Sequence, residues 1–96
     1  MKYVYAISET NETAKHRNFQ AISLFETEEL ATEYLHKWED EIKRGLWDGC
    51  GTCTFLEWHD ADDEEVTWMR ISRKDFNGVE NVICFCVEAM PVIAEL

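Results

Sequence analysis

The chain has 96 residues, 20 of them Asp or Glu against 9 Lys or Arg, which gives a formal net charge of −11. Binding nucleic acid through a broad basic surface, or docking on an anionic membrane, rests on clustered Lys and Arg, so a carboxylate excess of this size argues against both. Hydrophobic residues at 46 % and four Trp place the chain among folded domains in spite of its charge, and its length suits a single domain, residues 1–96, with one core.

Residues 2–8 alternate, with Tyr3, Tyr5 and Ile7 on one side and Val4, Ala6 and Ser8 on the other, which is the period of a strand. The polar stretch from Glu9 to Asn18 reads as a long loop carrying the basic cluster Lys15-His16-Arg17. Residues 19–25 resume the alternation, with Phe19, Ala21, Ser23 and Phe25 against Gln20, Ile22 and Leu24, so the two segments are expected to pair as an antiparallel hairpin.

A helix is expected to start at Thr27, whose hydroxyl can accept a hydrogen bond from a free first-turn amide, followed by Glu28 and Glu29 where the helix dipole favours negative charge. Leu30, Tyr34, Leu35, Trp38 and Ile42 form an apolar stripe, the pairs Glu33/Lys37, Glu39/Lys43 and Asp40/Arg44 stand four apart, and Gly45 supplies the stop. After a turn at Leu46-Trp47-Asp48-Gly49, residues 52–59 read as a strand, with Cys53 and Phe55 on one face and Leu56 and Trp58 on the other. The acidic turn Asp60-Ala61-Asp62-Asp63-Glu64 leads to a partner strand at 65–72; Asn77-Gly78 marks another turn, and 81–89 form the most hydrophobic strand, which Pro91 is expected to end.

Strands joined by short turns favour an antiparallel sheet, and one amphipathic helix covers only one of its faces. The expected fold class is therefore α+β: two layers, an antiparallel sheet of about five strands in the chain order β-β-α-β-β-β, with the helix on one face. The other face leaves room for a homodimer. No apolar run approaches the length of a bilayer span, and the start turns polar at Ser8 before a signal-peptide core forms. The expectation is a cytoplasmic protein without membrane contact.

Two constellations could carry function. Cys50-Gly51-Thr52-Cys53 and Cys84-Phe85-Cys86 are two close cysteine pairs, and zinc takes four such sulfurs in a tetrahedron. A structural zinc held by Cys50, Cys53, Cys84 and Cys86 is one reading; small apolar filler and a redox pair at Cys50 and Cys53 are the others. In a reducing cytosol these thiols are not expected to be disulfides.

The second constellation is Glu57-Trp58-His59-Asp60-Ala61-Asp62-Asp63-Glu64-Glu65, dense in carboxylates beside a Trp. It lacks the central Gly and distal Glu of a calcium loop. It reads either as a solvated hairpin turn or as a contact for a basic groove, in which spaced carboxylates imitate a nucleic-acid backbone. Glu57, Trp58, Asp60, Asp62, Asp63, Glu64 and Glu65 are the candidate partner-binding residues, with Trp58 or Trp47 as an aromatic anchor where exposed. Glu28, Glu29, Glu33, Glu39, Asp40 and Glu41 extend the negative surface along the helix.

Motifs for nucleophilic, phosphate-binding, metalloprotease and dinucleotide chemistry are absent. Cys53 and His59 stand about 20 Å apart along one strand, too far to form a catalytic pair. A non-enzymatic role is expected, without a cofactor unless zinc is bound.

The opening Lys2-Tyr3-Val4-Tyr5-Ala6-Ile7, the hairpin and the run Phe25-Glu26-Thr27-Glu28-Glu29-Leu30-Ala31-Thr32-Glu33-Tyr34-Leu35, with the charge and element order, resemble the small acidic proteins that bacteriophages encode against host defences, anti-CRISPR proteins among them. The resemblance spans about the first half of the chain and is one of general form. It implies an inhibitor acting in the bacterial host cytoplasm on a basic protein or ribonucleoprotein, such as a nuclease or CRISPR effector, without direct nucleic-acid binding.

Overall fold

A computed structural model describes residues 2–61 and 66–92, with backbone alone at residues 2, 16–23 and 50. The elements are β1 (Lys2–Asn11), β2 (His16–Phe25), α1 (Glu28–Lys43), a 3-10 turn (Asp48–Cys50), β3 (Thr52–His59), β4 (Trp68–Lys74) and β5 (Glu80–Val92). The five strands form one antiparallel sheet in the order β2-β1-β5-β4-β3, and α1 lies across one face. The α+β architecture and the order of elements are those the sequence predicts.

The first hairpin is tighter than its polar sequence implies. β1 runs on through Glu9, Thr10 and Asn11, and β2 begins at His16, so the loop is four residues long. Glu9, Thr10 and Asn11 lie outside the core and stay partly exposed, so polar side chains are tolerated in this strand end. Asn11 closes the turn by accepting from the Ala14 N–H at 2.9 Å, and Lys15 takes φ 55°.

Thr27 caps α1, its hydroxyl accepting from the Leu30 N–H at 3.1 Å. The buried stripe is Ala31, Leu35, Trp38 and Ile42, spaced four, three and four apart. Leu30, expected in this stripe, is 48 % exposed: the row through the small Ala31 lets the helix approach the sheet, and Leu30 falls one position off it. At the other end the Gly45 N–H donates to the Ile42 carbonyl and the Leu46 N–H to that of Glu41, satisfying carbonyls the helix leaves free.

The core lies between α1 and the inner sheet face, where Ile7, Met69, Ile71, Ile83, Phe85 and Val87 meet the helix stripe. Trp38 is its hub, with edge-on ring contacts to Phe85 at 5.2 Å and Trp47 at 5.3 Å. Gly51 secures the entry to β3: at φ 133° its backbone lies against β4 so closely that a Cβ there would stand 2.2 Å from the Lys74 carbonyl oxygen.

Two strand details differ from expectation. A bulge in β3 between Phe55 and Glu57 shifts the register, so Cys53, Phe55 and Trp58 all pack towards the helix and Glu57 and His59 face the opposite way. β4 also begins at Trp68 rather than residue 65, leaving Val66 and Thr67 as extended connection.

β5, for its part, continues through Pro91 to Val92. The Val87 N–H donates to the Thr67 carbonyl, away from β1, and alternation points the backbone nitrogen of residue 91 the same way. Pro91 therefore costs no bond to β1, and the last β4–β5 register pair, Trp68 with Cys86, lies well before it.

Candidate functional site

The antiparallel layout sorts the connections to two ends. One end holds the start of α1, the end of β3, the segment into β4 and the last residues of β5; the other holds the β1–β2 loop, the β4–β5 turn and the end of α1. The charges are mixed at the second end, which also holds Glu12, Asp40, Glu41, Asp75 and Glu80, and more one-sided around the start of α1. Six of the nine Lys and Arg, namely Lys15, Arg17, Lys43, Arg44, Arg73 and Lys74, sit at the second end. Glu28, Glu29, Glu33 and Asp60 sit at the first.

At that first end the acids share a cleft of about 350 Å3 lined by Glu28, Glu29, Thr32, Glu33, Asp60, Ala61 and Thr67. Sequence segments some thirty residues apart thus converge: two turns of α1 form one wall, and the chain leaving β3 and entering β4 forms the other. Thr67, 3 % exposed, fixes the second wall, because its hydroxyl accepts from the Ala61 N–H at 3.1 Å. The volume is at the small end for ligand sites, enough for one or two side chains.

Trp58 positions Asp60. Its indole N–H donates to the Asp60 carboxylate at 2.7 Å, while its ring stacks on His36 with centroids 3.8 Å apart and planes 18° apart. His36 also meets Glu39 at 2.9 Å, and Lys43 donates to the same carboxylate at 3.0 Å. Burial pulls the Glu39 carboxyl upward, but these two partners outweigh it and hold it below the usual carboxylate range. The chain Asp60–Trp58–His36–Glu39–Lys43 ties the end of β3 to the helix. Trp58 is accordingly a half-buried strut, and Trp47 is packed on Trp38 with its N–H donated to Glu41 at 3.0 Å.

The other sequence-named residues are distributed differently. Asp62, Asp63, Glu64 and Glu65 lie outside the described residues. Glu57 is turned away from the cleft by the β3 bulge and pairs with Arg70 on the outer sheet face, where Arg70 also donates to Glu12 at 2.9 Å and lies over the Trp68 ring at 4.9 Å. His59 stacks on Trp68 on that same face. The catalytic pairing of Cys53 with His59 is thus barred by face as well as by distance.

The described cysteine side chains are separated too. Cys53 is buried under the helix, whereas Cys84 and Cys86 alternate with the buried Ile83, Phe85 and Val87 and so face outward. The Cys50 side chain is outside the described set. Among the described residues no group of three or more His, Cys, Asp or Glu is placed to hold a metal ion. Burial, with the Glu12 carboxylate adding to it and Arg70 opposing, pushes the Cys84 thiol up, away from the reactive thiolate.

Among the described residues no helix is long and apolar enough to cross a membrane. No protein-family model, no curated protein and no solved structure matches this chain.

Proposed function

We propose that this chain is a non-enzymatic acidic binding protein that inhibits a basic, nucleic-acid-handling protein or ribonucleoprotein, of the nuclease or CRISPR-effector type, by presenting carboxylates to its nucleic-acid groove. The observation that carries this reading is the convergence of Glu28, Glu29, Glu33 and Asp60 on one cleft, at the end from which residues 62–65 lead on. Four carboxylates brought together by the fold, with no Lys or Arg among the described residues lining the cleft, concentrate negative charge that steers a cationic surface to it. A solvated helix face alone would not need the second wall.

The test is capture of cellular proteins on the immobilised chain, followed by binding kinetics with the recovered basic protein. Charge reversal of Glu29, Glu33 and Asp60 to Lys is expected to slow association at least about tenfold at low salt, with the difference shrinking as salt approaches about 0.5 M. Unchanged association of the triple variant, or recovery of no basic partner, would overturn the proposal. The described thiols lie on opposite sheet faces and lend no support to a zinc module.

A further inference from the structure

Of Asn11, Asn18, Asn77 and Asn81, Asn77 alone is followed by Gly. A side chain on the following residue hinders attack of its backbone nitrogen on the asparagine Cγ, and Gly78 has none. Asn77 and Gly78 are both exposed, so solvent reaches the pair freely. Composition thus makes this the position most open to succinimide chemistry.

The fold works against that chemistry. The β4–β5 connection tightens to the loop Phe76-Asn77-Gly78, closed by the Asp75 N–H on the Val79 carbonyl and the Gly78 N–H on the Asp75 carbonyl, both at 3.0 Å. With Gly78 at φ 82°, this is the hairpin loop in which a type I turn precedes a left-handed residue. Asn77 is then the third residue of the turn, where ψ is about 0°. Such a ψ turns the Gly78 nitrogen away from the Asn77 side chain, whereas closing a five-membered ring needs the two on one side. The Gly78 N–H, which must give up its proton in the reaction, is also held by the Asp75 carbonyl.

The Asp75 side chain secures this geometry. One oxygen of its carboxylate accepts from the N–H groups of both Asn77 and Val79, each at 2.9 Å. These bonds brace the backbone on either side of the Asn77–Gly78 peptide, and rotation about the Asn77 ψ has to break at least one of them.

We infer that Asn77 is a site of spontaneous deamidation, held shut in the folded chain by the Asp75 carboxylate and opened when the turn releases it. In the open turn the Gly78 nitrogen attacks Cγ of Asn77. The N–Cγ bond forms, the Cγ–Nδ2 bond breaks, and Nδ2 leaves as ammonia, taking up the proton from Gly78. Water then opens the succinimide at either carbonyl, leaving an aspartyl or isoaspartyl linkage at position 77. The product carries an added negative charge close to Asp75, and the isoaspartyl form runs the backbone through an extra atom in a loop closed over three residues. Loss of ammonia makes the change one-way.

The test follows the full chain at physiological temperature and pH, each variant well below its own melting transition, with peptide mass spectrometry reading the mass gain at Asn77. Asp48-Gly49 can also cyclise, but its isomerisation leaves the mass unchanged and is not counted. Asp75→Ala should deamidate at least about tenfold faster than the wild type, the rate equivalent of a hydrogen bond to a charged group. Asp75→Asn keeps an accepting oxygen and should stay within about threefold of the wild type. The wild-type chain unfolded in guanidinium should react at least about tenfold faster than the folded one.

Thr27→Ala separates opening of the turn from unfolding of the whole domain. It removes a cap at the other end of the molecule and leaves the turn intact, so its deamidation rate should match the wild type. Equal rates for Asp75→Ala and the wild type, equal acceleration by Thr27→Ala, a mass gain at Asn11, Asn18 or Asn81 ahead of Asn77, or a folded chain that reacts as fast as the unfolded one would overturn the inference.

Discussion

The two faces of the sheet are stabilised by different means. On the inner face Ile83, Phe85, Met69 and Ile71 are almost wholly withdrawn from water by a single helix, and dispersion and apolar burial do the holding. The outer face has no covering layer among the described residues, yet Ala6 and Ser8 there are 3 % and 1 % exposed. Both are small residues on an inner strand of the sheet, and the Ser8 hydroxyl donates to the Cys86 carbonyl at 3.4 Å, while farther across this face Arg70, Trp68 and His59 pack on one another with Arg70 paired to Glu12 and Glu57. The outer face is thus held by partnered charges and stacked rings that remain in contact with water.

The contrast is tested most severely on the inner face. Phe85→Ala removes the ring that Trp38 and Trp47 both meet edge-on, and should cost about 3–5 kcal/mol in denaturant unfolding, enough to threaten folding. On the outer face Arg70→Ala should cost only about 1–2 kcal/mol, mostly through lost cover of Trp68, because its ion pairs remain in contact with water. If the two losses were equal, the distinction between the faces would fail.

Loosening the inner cover at its margin gives a smaller effect. Thr27→Ala should lower stability by about 1 kcal/mol, since one first-turn amide loses its acceptor.

The smallest effect is expected from Glu39→Gln, read by pH. The Glu39 carboxyl is held low in the folded chain, so its stabilisation is present at neutral pH and lost as pH falls through its folded value. The melting difference between wild type and variant should therefore be largest near pH 7 and close below about pH 4; a gap that persists in acid would contradict the His36–Glu39–Lys43 linkage.

Local rules made much of the fold legible. Thr27 with Glu28 and Glu29, the apolar stripe apart from Leu30, and the Asn77-Gly78 turn are decided by residues within a few positions of one another, and the structure has them where the sequence places them. What could not be read locally was face. The bulge at Leu56 depends on how β3 meets β4, and it moved Trp58 under the helix and Glu57 out. That one displacement splits the acidic segment, sending Glu57 to Arg70 while Asp60 joins the helix acids.

The helix carboxylates were visible in sequence, but their meeting with Asp60 required the β2–α1–β3 crossover from one sheet edge to the other.

The Pro91 position has a bearing on how these molecules behave when crowded together. Past Val87, whose N–H still meets the Thr67 carbonyl, the flank of β5 that faced β4 has no register partner among the described residues, and a bare strand flank is a template onto which another chain can add. The backbone nitrogen of residue 91 points to that flank and carries no hydrogen, so an incoming strand would find one rung missing. A side chain that looks misplaced inside a strand thereby caps the sheet against growth. Pro91→Ala should fold as well as the wild type and differ from it only in concentrated solution, by aggregating sooner.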